Sequence, residues 1–173
     1  MKITLFIAPT PNGFIAKPGN DTSFVSNRDW LLFLKDVKKI KCVIMGRNTY
    51  EQGAMSKVFP LKGCMNVVLT REKMKSTDNC IFTNAHPKQI LKLIEKRGYK
   101  HAALIGGGVA NSVFMSANCV DELCLDFMPR IFGKGIRGFA EIDFENRLKL
   151  ISIRKLSADE IRLRYKVLKS GKR

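Results

Sequence analysis

The feature that most constrains this chain is an alternation of two hydrophobic periods. Short unbroken apolar runs, ITLFIA (3–8), CVIM (42–45), MNVVLT (65–70) and AALI (102–105), are separated by longer stretches whose apolar residues recur at helical spacing. Runs this short with no polar face suit strands covered on both sides, the condition of strands in a parallel sheet. Between them, RDWLLFLKDVKKI (28–40) sets Trp30, Phe33, Leu34 and Val37 on one helical face, with Asn27 available as its cap. A brief strand CIFT (80–83) precedes a second helix, from Pro87 to about Lys96, closed by Gly98. The last third changes character: ELCLDFMP (122–129), LKLISIRKL (148–156) and IRLRYKVLK (161–169) read as strands, and the final two alternate as a hairpin does. The expected architecture is α/β, with a mostly parallel central sheet, helices on both faces and a C-terminal antiparallel hairpin. A chain of 173 residues accommodates one such domain, 1–173, with residues 169–173 expected to fray.

Composition narrows the setting. No apolar run approaches the roughly 18 residues needed to cross a bilayer, and Pro9, Pro11 and Asn12 cut the N-terminal stretch short of a secretory signal. The 5 cysteines are odd in number and include no C-x-x-C pair, so they read as reduced core thiols of a cytoplasmic protein, with no metal site. A net charge of +16 raises the question of nucleic acid. The basic residues, however, are spread over the polar positions of amphipathic segments such as KDVKKIK (35–41) and KQILKLIEKRGYK (88–100). That is the pattern of a solvated basic surface, with a polyanion or nucleic-acid partner as the alternative.

The chemistry-bearing residues stand where strands end. In CVIMGRNTYEQG (42–53), Gly46 lets the backbone approach an anion, Arg47 supplies a forked cation, and Asn48 and Thr49 can cap the following helix or bond to phosphate. The same form recurs at NVVLTRE (66–72), which ends in Thr70 and Arg71, and at ALIGGGVA (103–110), where Gly106, Gly107 and Gly108 lead into Val109. In an open α/β sheet such turns lie beyond the carboxyl ends of the strands, where helix N-termini offer free N–H groups. Two arginines beside them suit an exposed ribose 2′-phosphate, which favours NADPH over NADH. The G-x-G-x-x-G fingerprint is not present.

Taken in order, FIAPTPNGFIA (6–16), CVIMGRNTYE (42–51), VVLTR (67–71) and LIGGGV (104–109) resemble the dihydrofolate reductase superfamily over nearly the whole chain. The segment KPGNDTSFVSNRDWLLF (17–33) has no PW pair and is more similar to the reductase domain of riboflavin-biosynthesis enzymes. That resemblance implies NADPH lying along the carboxyl edge of the sheet, with the nicotinamide near Ala8, Ile15 and Ala16. The adenosine phosphates would sit on Arg47 to Thr49 and on Thr70 and Arg71, the pyrophosphate on Gly106 to Val109. It also implies a substrate contact at Thr22, a cofactor contact at Phe24 and a cis peptide between Gly106 and Gly107. Asp29 is the acid nearest the folate reductases' carboxylate, and would be the proton source; a first-turn Asp favoured by the helix dipole is its other reading. The acidic-Pro segment of the riboflavin reductases, and the basic residue with it that grips the ribityl phosphate, have no counterpart in EQGAMSKVFPLKG (51–63), and no zinc deaminase signature is present. His86 and His101 are expected on the surface. The function expected from the resemblance is NADPH-dependent reduction of a pyrimidine- or pteridine-type heterocycle, of the 5-amino-6-(5-phosphoribosylamino)uracil reductase kind, by a domain that can pair as a homodimer. Dihydrofolate reduction is one alternative; a non-catalytic nucleotide- or polyanion-binding protein is another.

Overall fold

The computed structural model describes residues 1–168; the expected frayed tail, 169–173, lies outside them. In chain order the elements are β1 (Lys2–Ile7), β2 (Phe14–Ala16), α1 (Asn27–Ile40), β3 (Cys42–Gly46), α2 (Arg47–Met55), β4 (Met65–Leu69) and β5 (Cys80–Thr83). There follow α3 (Pro87–Lys96), β6 (His101–Leu104), α4 (Gly108–Ser116), β7 (Glu122–Phe127), β8 (Ile136–Arg137), β9 (Arg147–Lys155) and β10 (Ile161–Leu168). The main sheet runs β5-β4-β3-β6-β1-β7-β10-β9. Its strands from β5 to β7 are parallel, and β10 and β9 add the antiparallel hairpin.

Why these segments take these forms is legible in burial. Cys42, Val43, Ile44 and Met45 are all fully buried, so the unbroken apolar run of β3 meets protein on both faces of the sheet. One face packs Ile3, Leu5, Ile44 and Leu104 against Ile90 and Ile94 of α3 and Phe114 of α4. The other packs Val43, Met45 and Val68 against Val37 of α1. All five cysteines are buried, Cys42 and Cys119 in the first of these clusters and Cys64 and Cys80 in the second. Helix α1 starts one residue before the expected position, so its cap is Ser26 and not Asn27: the Asp29 N–H donates to Ser26 Oγ at 3.1 Å. The small sheet β2-β8 had no counterpart among the expected elements, because strands of three and two residues carry too little periodicity to be read.

Parallel strands deliver their carboxyl ends to one edge. That places the turns after β1, β3, β4 and β6, two of them leading to helices, beside one another, with the end of β7 completing the row.

Candidate active site

Along that edge lies a cleft of about 1640 Å³. Its walls include the three turns singled out in the sequence: Gly46 to Thr49 after β3, Thr70 and Arg71 after β4, and Gly107 to Val109 after β6. Two of the turns are bonded together, since the Gly46 N–H donates to the Gly106 carbonyl at 2.7 Å. Gly106 holds φ +99, a conformation that L side chains rarely adopt, and the peptide joining it to Gly107 is cis, as the resemblance implies. Gly106 itself is not among the lining residues; its role is to turn the chain and bond to Gly46. At Gly108 the backbone of Arg137 approaches so closely that a Cβ would overlap the Arg137 carbonyl.

The N-termini of α2 and α4 face this cleft through Gly46 and Gly107, and neither helix is capped by a side chain. Asn48 and Thr49 therefore do not cap α2, and the first-turn N–H groups are left for something in the cleft. Arg47 lies beside them but has acidic partners: its guanidinium meets Glu51 at 3.4 Å and also Glu72. Arg71 is exposed at the rim. His86 is exposed, as expected, and caps α3 by accepting the Lys88 N–H at Nδ1, at 3.3 Å. His101 is only partly exposed and bonds to Thr4 Oγ1 at 2.9 Å, and burial holds its pKa below the ordinary value.

The other half of the cleft is lined by Ala8, Ile15 and Ala16, with Thr22 exposed at the rim. Phe24 does not line it. Its ring packs edge-on against Phe132 at 5.2 Å between centroids, and Phe132 stacks on Phe14 at 5.5 Å, so an aromatic cluster beside the cleft holds the ring that the resemblance set by the cofactor.

Asp29 lies at the floor, 5% exposed, on the first turn of α1, and Trp30 and Phe33 of the same helix also line the cleft. It is no solvated first-turn carboxylate. Burial, then a hydrogen bond to Asp126, then the Asp126 charge, raise its pKa to about 8. Asp126, on β7 and also 5% exposed, lines the same floor. Both its oxygens are forked by Arg162 of β10, with Nε to Oδ1 at 2.7 Å and Nη2 to Oδ2 at 2.6 Å. Arg162 Nη1 reaches Asp36 of α1 at 2.8 Å. Asp126, Arg162 and Glu72 were not among the expected site residues. The available signal was an acid inside the apolar run ELCLDF, followed by an arginine inside the run IRLRYK, since a charge within a buried strand requires a partner.

A parallel sheet closed by an antiparallel hairpin, with paired glycine turns and a buried acid at the carboxyl edge, defines the dihydrofolate reductase-like class. A model of the RibD C-terminal domain family matches residues 1–161, and the chain belongs to that family. It is 33% identical over 120 residues to a dihydrofolate reductase of Buchnera aphidicola subsp. Baizongia pistaciae (strain Bp), covering 68% of this chain and 67% of that one. A pyrimidine reductase-like protein from Corynebacterium diphtheriae superposes with a TM-score of 0.78 at 16% identity, covering 98% of this chain and 92% of that one. A diaminohydroxyphosphoribosylaminopyrimidine deaminase/5-amino-6-(5-phosphoribosylamino)uracil reductase from Thermotoga maritima superposes at 0.76 and 17% identity; 96% of this chain covers 56% of that one. The protein thus stands in a family of reductases. Among the described residues no helix is long and apolar enough to cross a membrane.

Proposed function

We propose that the protein is an NADPH-dependent reductase acting on a C=N or C=O group of a pyrimidine- or pteridine-type heterocycle. The observation that carries this reading is one cleft with two unlike ends: uncapped helix N-termini and arginines at one, a buried acid at the other.

The residues present fit the cofactor. Bare backbone at Gly46 and Gly107, with the α2 and α4 N–H groups facing the cleft, suits a pyrophosphate. Thr49, Thr70 and Arg71 stand where an adenosine ribose phosphate needs donors, and that phosphate would replace Glu72 as the partner of Arg47. Ala8, Ile15 and Ala16 offer an apolar wall to a flat ring and exclude water from the reacting carbon. When bound, NADPH supplies the hydride. The protein supplies alignment and a proton: Asp29 holds a proton near neutral pH and can release it to the heteroatom next to the reduced carbon, becoming a carboxylate that solvent reprotonates. Thr22 at the rim is placed to meet the substrate's polar substituents.

The substrate type is that named for the Thermotoga maritima relative, 5-amino-6-(5-phosphoribosylamino)uracil. Dihydrofolate is the second reading, favoured by the buried acid on α1. Five buried thiols suit a reducing compartment such as the cytoplasm. The test is thermal denaturation with NADPH and with NADH, followed by NADPH consumption with each substrate. A melting temperature raised by NADPH well beyond the shift from NADH supports the reading; no shift with either nucleotide overturns it.

A further inference from the structure

The floor of the cleft holds a second carboxyl to which the reaction above gives no task. Asp29 and Asp126, each 5% exposed, line the same floor, and the Asp126 charge reaches Asp29; two carboxyl groups that meet there can hydrogen-bond only by sharing a proton, because an ionised carboxylate has nothing to donate. The Arg162 guanidinium remains charged and occupies both oxygens of Asp126. The negative charge of the pair therefore belongs on Asp126 and the proton on Asp29. Asp29 Oδ1 is buried with no hydrogen-bond partner, which leaves it to be satisfied from the cleft.

We propose that Asp126 and Arg162 are positioning residues for Asp29: the guanidinium locks Asp126 as the ionised member of the pair, and Asp126 holds the Asp29 carboxyl protonated, with Oδ1 presented to the substrate. The inference rests on the reading of Asp29 as the acid at the substrate end of the cleft. It gives the C-terminal hairpin a part in the site, since Arg162 is the hairpin's contribution to the cluster. It also explains how the pair survives loss of its proton. Once Asp29 has given up its proton the floor carries two adjacent carboxylates, and Arg162 is the cation that faces both. The other charged or titratable groups around them are Asp36 of α1, Cys124 of β7 and Glu160 just before β10. The acids among them raise the pKa of Asp29 or bond Arg162, whereas the Arg162 charge lowers it.

The test is a carboxyl carbon NMR titration of the whole protein without cofactor, with Asp29 assigned by the signal lost in Asp29→Asn. In the unaltered protein the proton of the pair is held by Asp29, which titrates at about pH 8. The reverse assignment, or two carboxyls ionised together from acid pH upward, overturns the proposal without any variant having to fold. In Asp126→Asn the Asp29 titration moves down by about one unit or more, because its hydrogen bond and its repelling charge go together. The alkaline limb of kcat moves with it, while KM for NADPH does not. Arg162→Lys, which keeps the charge but not the fork, retains part of the original profile. A structural role alone would lower the melting temperature and leave the Asp29 titration in place, and that result also refutes the proposal. Should the titration move with Asp126 in a protein that reduces neither substrate, the positioning stands and the reductase reading falls.

Discussion

Arg162 lies directly across the antiparallel ladder from Asp126, and the two side chains meet in a two-point fork at 2.7 and 2.6 Å on the buried side of the sheet. Cross-strand neighbours project to the same face, so the register of β10 on β7 delivers the arginine to the acid. Arg162 is 8% exposed and its pKa is raised, chiefly by the bond to Asp126, so the pair is buried as ions.

Removing one member of such a pair strands the other. Arg162→Met is expected to destabilise the fold by about 3–5 kcal/mol, because Asp126 loses both bonds and Asp36 loses its partner. Urea denaturation at neutral pH measures it. A loss under about 1 kcal/mol would place the pair with solvent-exposed bridges.

Asp29 makes stability depend on pH in a defined direction. Its pKa is raised from 3.8 to about 8 in the folded protein, so the folded state keeps a proton that the unfolded chain releases. That contribution is complete below pH 4 and is lost as pH rises towards 8, at up to about 1.4 kcal/mol per unit. Asp29→Asn removes it. The stability of wild type relative to the variant should fall steadily between those limits, as read by denaturant midpoints across the range; parallel curves would show an Asp29 of ordinary acidity.

Glu72 competes with any phosphate for Arg47. Glu72→Gln should tighten NADPH binding by up to about fivefold, the worth of one partly exposed ion pair, and leave NADH binding unchanged. Fluorescence titration with the two nucleotides makes the comparison. Equal effects on both would detach Arg47 from the ribose phosphate.

Gly108 has the Arg137 backbone where its Cβ would be. Gly108→Ala should cost about 1–3 kcal/mol by forcing that strand aside. The displaced segment is the one Asn111 and Ser112 hold through the Gly138 and Ala140 carbonyls, at 2.8 and 3.1 Å, so cofactor affinity should drop as well. A crystal structure of the variant with residues 137–140 unmoved would contradict this.

The strands of the parallel sheet could be read from the sequence because burial on both faces demands a continuous apolar run, and CVIM or AALI admits little else. The turns could be read because glycine, arginine and threonine at a strand end have few reasons to stand together. Phe24 was set at the cofactor and belongs to the aromatic cluster with Phe132, since a ring in a loop takes whichever apolar surface its neighbours provide. The Ser26 cap was misplaced by one residue because Ser26 and Asn27 are both good caps, and only the Asp29 N–H chooses between them.

Local order along the chain determined the strands, the helices, the glycine turns and the presence of an acid on the first helix, because each depends on residues a few positions apart. Tertiary structure alone decided what that acid is. Asp29, Asp126 and Arg162 belong to a helix, a parallel strand and the closing hairpin, and they become one cluster only when the sheet sets β10 beside β7. The proton on Asp29 is a property of that juxtaposition: it comes from shared burial and from the field of neighbours far away in sequence.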